Sequence, residues 1–301
     1  PQQTTILGVI RYRLLEMRGW LKDHNGYTAG KKDDIDALIG PKSFCGNPPE
    51  KSSEFGVLKS LSPLFIEQDG VLLLPGALNR HYSLKSLSGQ ETSSTQGLWT
   101  SLCGGEKTGL PELKGYDYKN PVEGHCIGAG LTEPLKPEDI FQYDTRVGIT
   151  KKKEGEPDDK AFYKQSKLRF KNADTSFLCY VTLQEKEGEE LMEYVGQNPH
   201  VPMGGERSVF YMSMEKGRID EAIFDIYLSK SQHQIIFLSN AKVSPTVYDS
   251  CRFAITQTTD FRHINTSNQT KNHYEKPDKS GAYQLLKAGS VLYPDGENTI
   301  E

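Results

Sequence analysis

Residues 144–170 read DTRVGITKKKEGEPDDKAFYKQSKLRF. Two strand-like runs, 141–149 and 162–170, flank a polar tip, EGEPDD, and this spacing predicts a β-hairpin. Arg146, Lys151, Lys152 and Lys153 stand before the tip; Tyr163, Lys164, Lys167 and Arg169 stand after it. Residues 146–171 hold nine Lys or Arg against four Asp or Glu, a local balance of +5. The 301-residue chain has a net charge of −4, so the remainder carries about −9. A basic hairpin on an acidic body points to a localised anion contact, with other faces left for protein partners. A charged hairpin that meets only solvent is the alternative, and charge alone leaves both readings open.

Outward from the hairpin, the second half of the chain is regular. SFLCYVTL (176–183) reads as a strand, and EGEELMEYVG (187–196) as a short acidic helix. NPHVPMGGERSVFYMSM (198–214) is a glycine-rich turn feeding a strand with period-two alternation. RIDEAIFDIYLSK (218–230) has helical spacing, whereas QIIFLSN (234–240), CRFAITQ (251–257) and LKAGSVLYP (286–294) read as strands. In the first half, Ile6, Ile10, Leu14 and Met17 mark an amphipathic helix over 4–17, with Thr4 or Thr5 available as its cap. Arg11 and Arg13 lie two apart and do not share one face, so one of them is expected to point to solvent or to a ligand. Gly8 costs about 0.5–1 kcal/mol relative to Ala, which suggests close packing or close backbone approach there. DDIDALIG (33–40) is one or two helical turns. SPLFIEQDGVLLLPG (62–76) predicts a hairpin joined at EQDG, and 77–136 reads as loop, with LWTSLCGG (98–105) a candidate short element within it. Strands interleaved with two short helices predict an α+β, ferredoxin-like architecture with long loop insertions.

Catalytic signatures are absent from the sequence: there is no phosphate loop ending in Gly-Lys-Ser/Thr, no H-E-x-x-H and no G-x-S-x-G. CGGEKTG (103–109) lacks the parallel strand and the helix that a phosphate loop needs. The five Cys are far apart and form no C-x-x-C pair, which argues against a disulfide framework or a zinc site and favours a reducing cytoplasm. His125 beside Cys126 would face the opposite way along a strand. No cofactor or metal is expected, and no apolar run approaches the roughly 18 residues of a membrane helix. PMGGERS (202–208) is of greater interest. Gly204 and Gly205 can take positive φ and expose backbone N–H groups, Glu206 follows them, and Arg207 adds a fork suited to phosphate; a plain turn is the alternative.

PQQTTILGVIRYRLL, LFIEQDGVLLLPGA, FQYDTRVGI with its polar hairpin, MGGERSVFY and LKAGSVLYP occur in that order over nearly the whole chain. Together they resemble the third subunit of the RAMP superfamily in the type III-B CRISPR Cmr effector complex; the Csm counterpart of type III-A complexes is the nearest confusion. The resemblance implies two ferredoxin-like, RRM-type domains, an N-terminal one over 1–136 and a C-terminal one over 137–301. The family's first strand is missing before Pro1 and is expected to precede it in the full gene product. The resemblance also implies a non-catalytic, cytoplasmic subunit in antiviral defence. Such a subunit holds the 5′ tag of the CRISPR RNA and docks the large polymerase-cyclase subunit and the neighbouring backbone RAMP subunit.

Carried onto this chain, the RNA-facing candidates fall in three places. They are the helix start (Thr4, Thr5, Gly8, Arg11), the hairpin (Arg146, Lys151, Lys152, Lys153, Lys164, Lys167, Arg169) and the glycine loop (Gly204, Gly205, Glu206, Arg207). Tyr163 is a candidate for stacking on a base, or for the hairpin's own packing. A repeat-cleaving RAMP endoribonuclease using His24 or His81, and a scaffold that touches only proteins, are the competing readings.

Overall fold

The computed structural model describes residues 2–21, 31–41, 52–79, 98–103, 106–111, 124–151, 157–204, 208–218, 234–262 and 281–294. Helices and strands are mixed, and every strand pairing among the described residues is antiparallel. No helix among the described residues is long and apolar enough to cross a membrane.

Helix α1 (Gln3–Met17) forms where the apolar spacing predicts it. Its N-cap is Gln2, with no side-chain cap, so Thr4 and Thr5 lie inside the first turn and do not cap it. Its C-terminus is a Schellman motif. Gly19 takes φ 66°, its N–H donates to the Glu16 carbonyl at 2.9 Å, and Trp20 N–H donates to the Leu15 carbonyl at 2.9 Å. α1 packs against α2 (Lys32–Ile39) and α3 is the single turn Pro137–Ile140, while α4 (Glu185–Gln197) flanks α1 on another side. Ile6, Leu7, Ile10, Leu14 and Leu15 of α1 form a core with Ile35, Leu38 and Ile39 of α2 and with Leu191 and Val195 of α4. Neighbours on several sides bury more of α1 than the single stripe of the sequence reading.

The predicted hairpin at 62–76 is present as β2 (Phe65–Gln68) and β3 (Val71–Pro75), preceded by β1 (Leu58–Leu61). Asp69 and Gly70 both take positive φ, 53° and 75°, the primed two-residue turn whose twist matches the strands. Within the expected loop at 77–136, LWTSLC forms the strand β4 (Leu98–Cys103), which pairs with β5 (Glu106–Pro111), and a short strand, β6 (Cys126–Gly128), follows. CGGEKTG therefore begins at the end of β4 and continues into β5, not into a helix.

The basic hairpin pairs β7 (Phe141–Lys151) with β8 (Pro157–Phe170), longer than the sequence runs suggested. The single strand expected at 176–183 is broken into β9 (Thr175–Leu178) and β10 (Val181–Leu183). β9 pairs with β2 and β10 with β1, because the chain between β1 and β2 is itself interrupted at Ser62–Pro63–Leu64. Proline cannot donate to the ladder, and Ser62 closes the gap instead: its hydroxyl accepts from Tyr180 N–H at 2.8 Å, and its own N–H donates to the Tyr180 carbonyl at 2.9 Å. The resulting sheet runs β6-β3-β2-β9.

After α4 come the hairpin β11 (His200–Met203) and β12 (Ser208–Tyr211) and then the short strand β13 (Ile235–Ile236). A 3-10 turn, Pro245–Ser250, precedes β14 (Cys251–Ile255). β15 (Thr258–Phe261) pairs with β16 (Tyr283–Leu286), and β17 (Val291–Pro294) lies between β13 and β14. LKAGSVLYP is thus not one strand: Gly289, at φ 89°, turns the chain between β16 and β17. A Cβ there would sit 2.5 Å from the Gly76 carbonyl oxygen, so the close approach of the two segments requires glycine. The predicted helix at 218–230 lies outside the described residues beyond Arg218.

The two halves of the chain are joined by more than loops. Phe65, Leu74, Ala77 and Ile127 share a core with Val291 and Tyr293. Buried Asn79 donates to the Tyr293 hydroxyl and to Gln234 Oε1. The pairings β1–β10 and β2–β9 also run across residue 136.

Candidate nucleic-acid interface

The β7–β8 ladder has two different faces, because side chains alternate along each strand and paired residues share a side. One face carries Arg146, Gln142 and Asp144 of β7 with Lys167 and Arg169 of β8. Here Arg146 pairs with Asp144 at 3.6 Å, an exposed contact that contributes little by itself. With the Gln142 amide oxygen turned toward Arg169, it accepts from Nε and Nη2 at 2.7 and 3.0 Å, which lays that guanidinium along the ribbon. Lys164 does not stand on this face: it pairs with Val147 on the other.

That second face is largely apolar, with Thr145, Ser166 and Lys164 set among its apolar side chains, and no described residue covers it. Tyr143 pairs with Leu168, and Phe162 lies farther toward the tip; Tyr143 is 78 % exposed and Phe162 69 %, with Val147 and Leu168 also exposed. The sequence reading weighed the charges of the hairpin and missed this surface. Its signal was present in the alternation, with Phe141, Tyr143 and Val147 two apart or four apart and Phe162, Leu168 and Phe170 in matching register.

At the base of the ribbon, Lys171 N–H donates to the Ile140 carbonyl at 2.9 Å, and Phe141 stacks on Phe170 at 5.3 Å. Lys151 pairs with Pro157 beyond a register shift near the tip. Lys152 and Lys153, and the side chains of Lys151 and Tyr163, lie outside the described residues. The backbone of Tyr163 pairs with Gly148.

The glycine loop lies between β11 and β12, so the strand that the sequence reading placed after it is present as β12, with a paired strand, β11, before it as well. Gly204 is exposed with φ 78°, and a Cβ there would meet nothing within 4 Å. Gly205, Glu206 and Arg207 lie outside the described residues. The other end of this hairpin is held by Arg13, whose guanidinium donates to the Asn198 carbonyl at 2.8 Å and to the His200 carbonyl, and pairs with Glu16.

At the helix start, Gln3 Nε2 donates to the Leu61 and Ser62 carbonyls at 2.8 and 2.9 Å. Thr4 and Thr5 are half-buried. Gly8 is exposed with open space where a Cβ would be, so the packing expected at Gly8 is not found among the described residues. The expectation that Arg11 or Arg13 faces solvent is not met. Both are buried, Arg11 with its guanidinium 5.7 Å from the Phe55 ring centroid and Arg13 beneath β11. Arg11 is thus a packed residue on the same helical side as Thr4 and Gly8.

Other chemistry is sparse. Burial pushes the Cys126 thiol up to about 11, so it is protonated and a poor nucleophile at neutral pH. Among the described residues no group of three His, Cys, Asp or Glu is placed to hold a metal ion. His24 and His81 lie outside the described residues.

A chain in the cryo-EM structure of type III-B Cmr-beta bound to cognate target RNA and AMPPnP, state 1, matches over 97 % of this chain and 77 % of its own length, at 13 % identity and a TM-score of 0.52. A chain in the structure of type III-B Cmr-beta bound to cognate target RNA alone matches over 97 % and 75 %, at 14 % identity and a TM-score of 0.50. A chain of the Csm3-Csm4 subcomplex of the type III-A interference complex matches over 98 % and 87 %, at 10 % identity and a TM-score of 0.45. The first two define the class: the chain has the fold of a subunit found in a type III-B CRISPR assembly. The family model described as CRISPR-associated protein (Cas_Cmr3) matches residues 1–298, and the chain belongs to that family, the Cmr3-type subunits of type III-B CRISPR complexes. Curated protein sequences contain no match.

Proposed function

We propose that this chain is a non-catalytic, cytoplasmic subunit of a type III-B effector complex, acting in antiviral defence by holding the 5′ tag of the CRISPR RNA. In this reading it is built as two ferredoxin-like halves, 1–136 and 137–301, bound to each other by shared ladders and a shared core. The observation that carries the reading is the charged face of the β7–β8 ribbon, where Arg146, Lys167 and Arg169 stand on one side of a hairpin attached to an acidic body. Open backbone at Gly204 and Gly8 supports it, since neither has a side chain to keep a phosphate or a base away. The tag would be gripped as a single strand, by its phosphates and splayed bases. Target sequence would be read by guide pairing and not by this chain. The exposed, largely apolar face of the ribbon supports docking to the neighbouring backbone RAMP subunit, and the acidic remainder leaves surface for the large polymerase-cyclase subunit.

Salt dependence tests the grip. Changing Arg146, Lys167 and Arg169 to Ala should weaken RNA retention. It should also lower the slope of log K against log salt by about 0.7 for each phosphate that is no longer neutralised. A slope equal to that of the unaltered chain would remove the ribbon from the RNA interface.

A further inference from the structure

Neither the β7–β8 ribbon nor the β11–β12 hairpin shares a ladder with another sheet among the described residues. A two-stranded ribbon that shares no ladder lacks a sheet to fix its angle to the body, so side-chain contacts at its base must do so; for β11–β12 the hydrogen bonds of Arg13 are one such contact, and ring packing supplies another. At these bases stands a chain of phenyl rings. Phe141 stacks on Phe170 with centroids 5.3 Å apart and planes at 22°. Phe170 meets Phe177 of β9 at 4.7 Å and 56°, and Phe177 meets Phe210 of β12 at 6.4 Å and 46°. All three separations lie in the range of attractive ring pairs, and the tilted geometries suit the ring quadrupole. Phe177 is the central ring: it belongs to the sheet β6-β3-β2-β9 and touches one hairpin on each side.

We propose that Phe177, with Phe141, Phe170 and Phe210, is a positioning link that sets the β7–β8 ribbon and the glycine-loop hairpin at a fixed separation, so that the two act on RNA as one clamp. The clamp rests on the RNA-binding reading above; the link itself does not. Phenyl rings suit the task because they are rigid and present large faces, whereas an aliphatic side chain of similar volume changes rotamer and shape.

The test uses the full chain and two measurements: hydrogen exchange at the bases of both hairpins, and binding of a fluorescent single-stranded RNA carrying the repeat sequence. In Phe177→Leu, exchange protection at both bases should fall together and RNA should bind more weakly, each by roughly tenfold, the scale of removing two ring pairs. Phe177→Tyr, which keeps the ring, should restore both. Phe170→Leu and Phe210→Leu should be non-additive with Phe177 present and additive with Leu in its place. If Phe177→Leu does not fold, the Phe170 and Phe210 pair carries the test by itself. Additivity with Phe177 intact, or unchanged exchange in Phe177→Leu, overturns the link. Coupled exchange in a chain whose RNA binding ignores both Phe177→Leu and the ribbon arginines would support the link and remove the RNA reading.

Discussion

Gly8 shows how one residue separates folding from function. A glycine inside a helix costs stability, and here no described residue occupies the space above it. Gly8→Ala should therefore stabilise the isolated chain by about 0.5–1 kcal/mol, read as a higher urea midpoint. If RNA or a partner approaches the bare helix backbone, the same change should weaken that approach, so stability and retention should move in opposite directions. A gain in both would mean that nothing approaches Gly8. Gly289 is the contrasting glycine, because its positive φ and its approach to the Gly76 carbonyl come from within the fold. The sequence marks both positions equally; only the surroundings tell them apart.

Between elements, Arg13 is the connection the sequence did not expose. One of Arg11 and Arg13 was expected at solvent or a ligand, yet Arg13 lies 2 % exposed and ties the helix to the strand that leads into the glycine loop. A buried guanidinium is tolerated because two carbonyls and Glu16 accept from it. Arg13→Met should leave those carbonyls unpaired and destabilise the chain by about 3 kcal/mol, measured by chemical denaturation. Arg13→Met at wild-type stability would show that the contact is incidental. The ribbon β7–β8 was legible as a hairpin because strand alternation and a polar tip are local signals. Its two faces are equally local, yet charge drew the reading to one of them. The break between β9 and β10 was not legible, since it answers an interruption more than a hundred residues away in the chain, where Ser62, just before Pro63, meets Tyr180.

At the scale of the molecule, Tyr143, Val147, Phe162 and Leu168 form an exposed apolar strip on a projecting ribbon. Such a strip is a liability for an isolated chain and a docking surface in an assembly. Tyr143→Ser with Leu168→Ser should reduce self-association of the isolated chain, seen by light scattering, while shifting its melting temperature little. Self-association that persists would place the sticky surface elsewhere. The sequence by itself determined the helix α1, the hairpins at 65–75 and 141–170, the basic segment and, through the order of its motifs, the family. Each of these rests on neighbours in sequence, where period, turn residues and local charge act directly. Tertiary structure alone decided that Arg11 and Arg13 are buried, that strands of the two halves pair across residue 136, and that four rings join the two candidate RNA-contacting hairpins. Those outcomes depend on which distant surfaces meet, and burial, ring contact and the satisfaction of buried polar groups come into being only when they do.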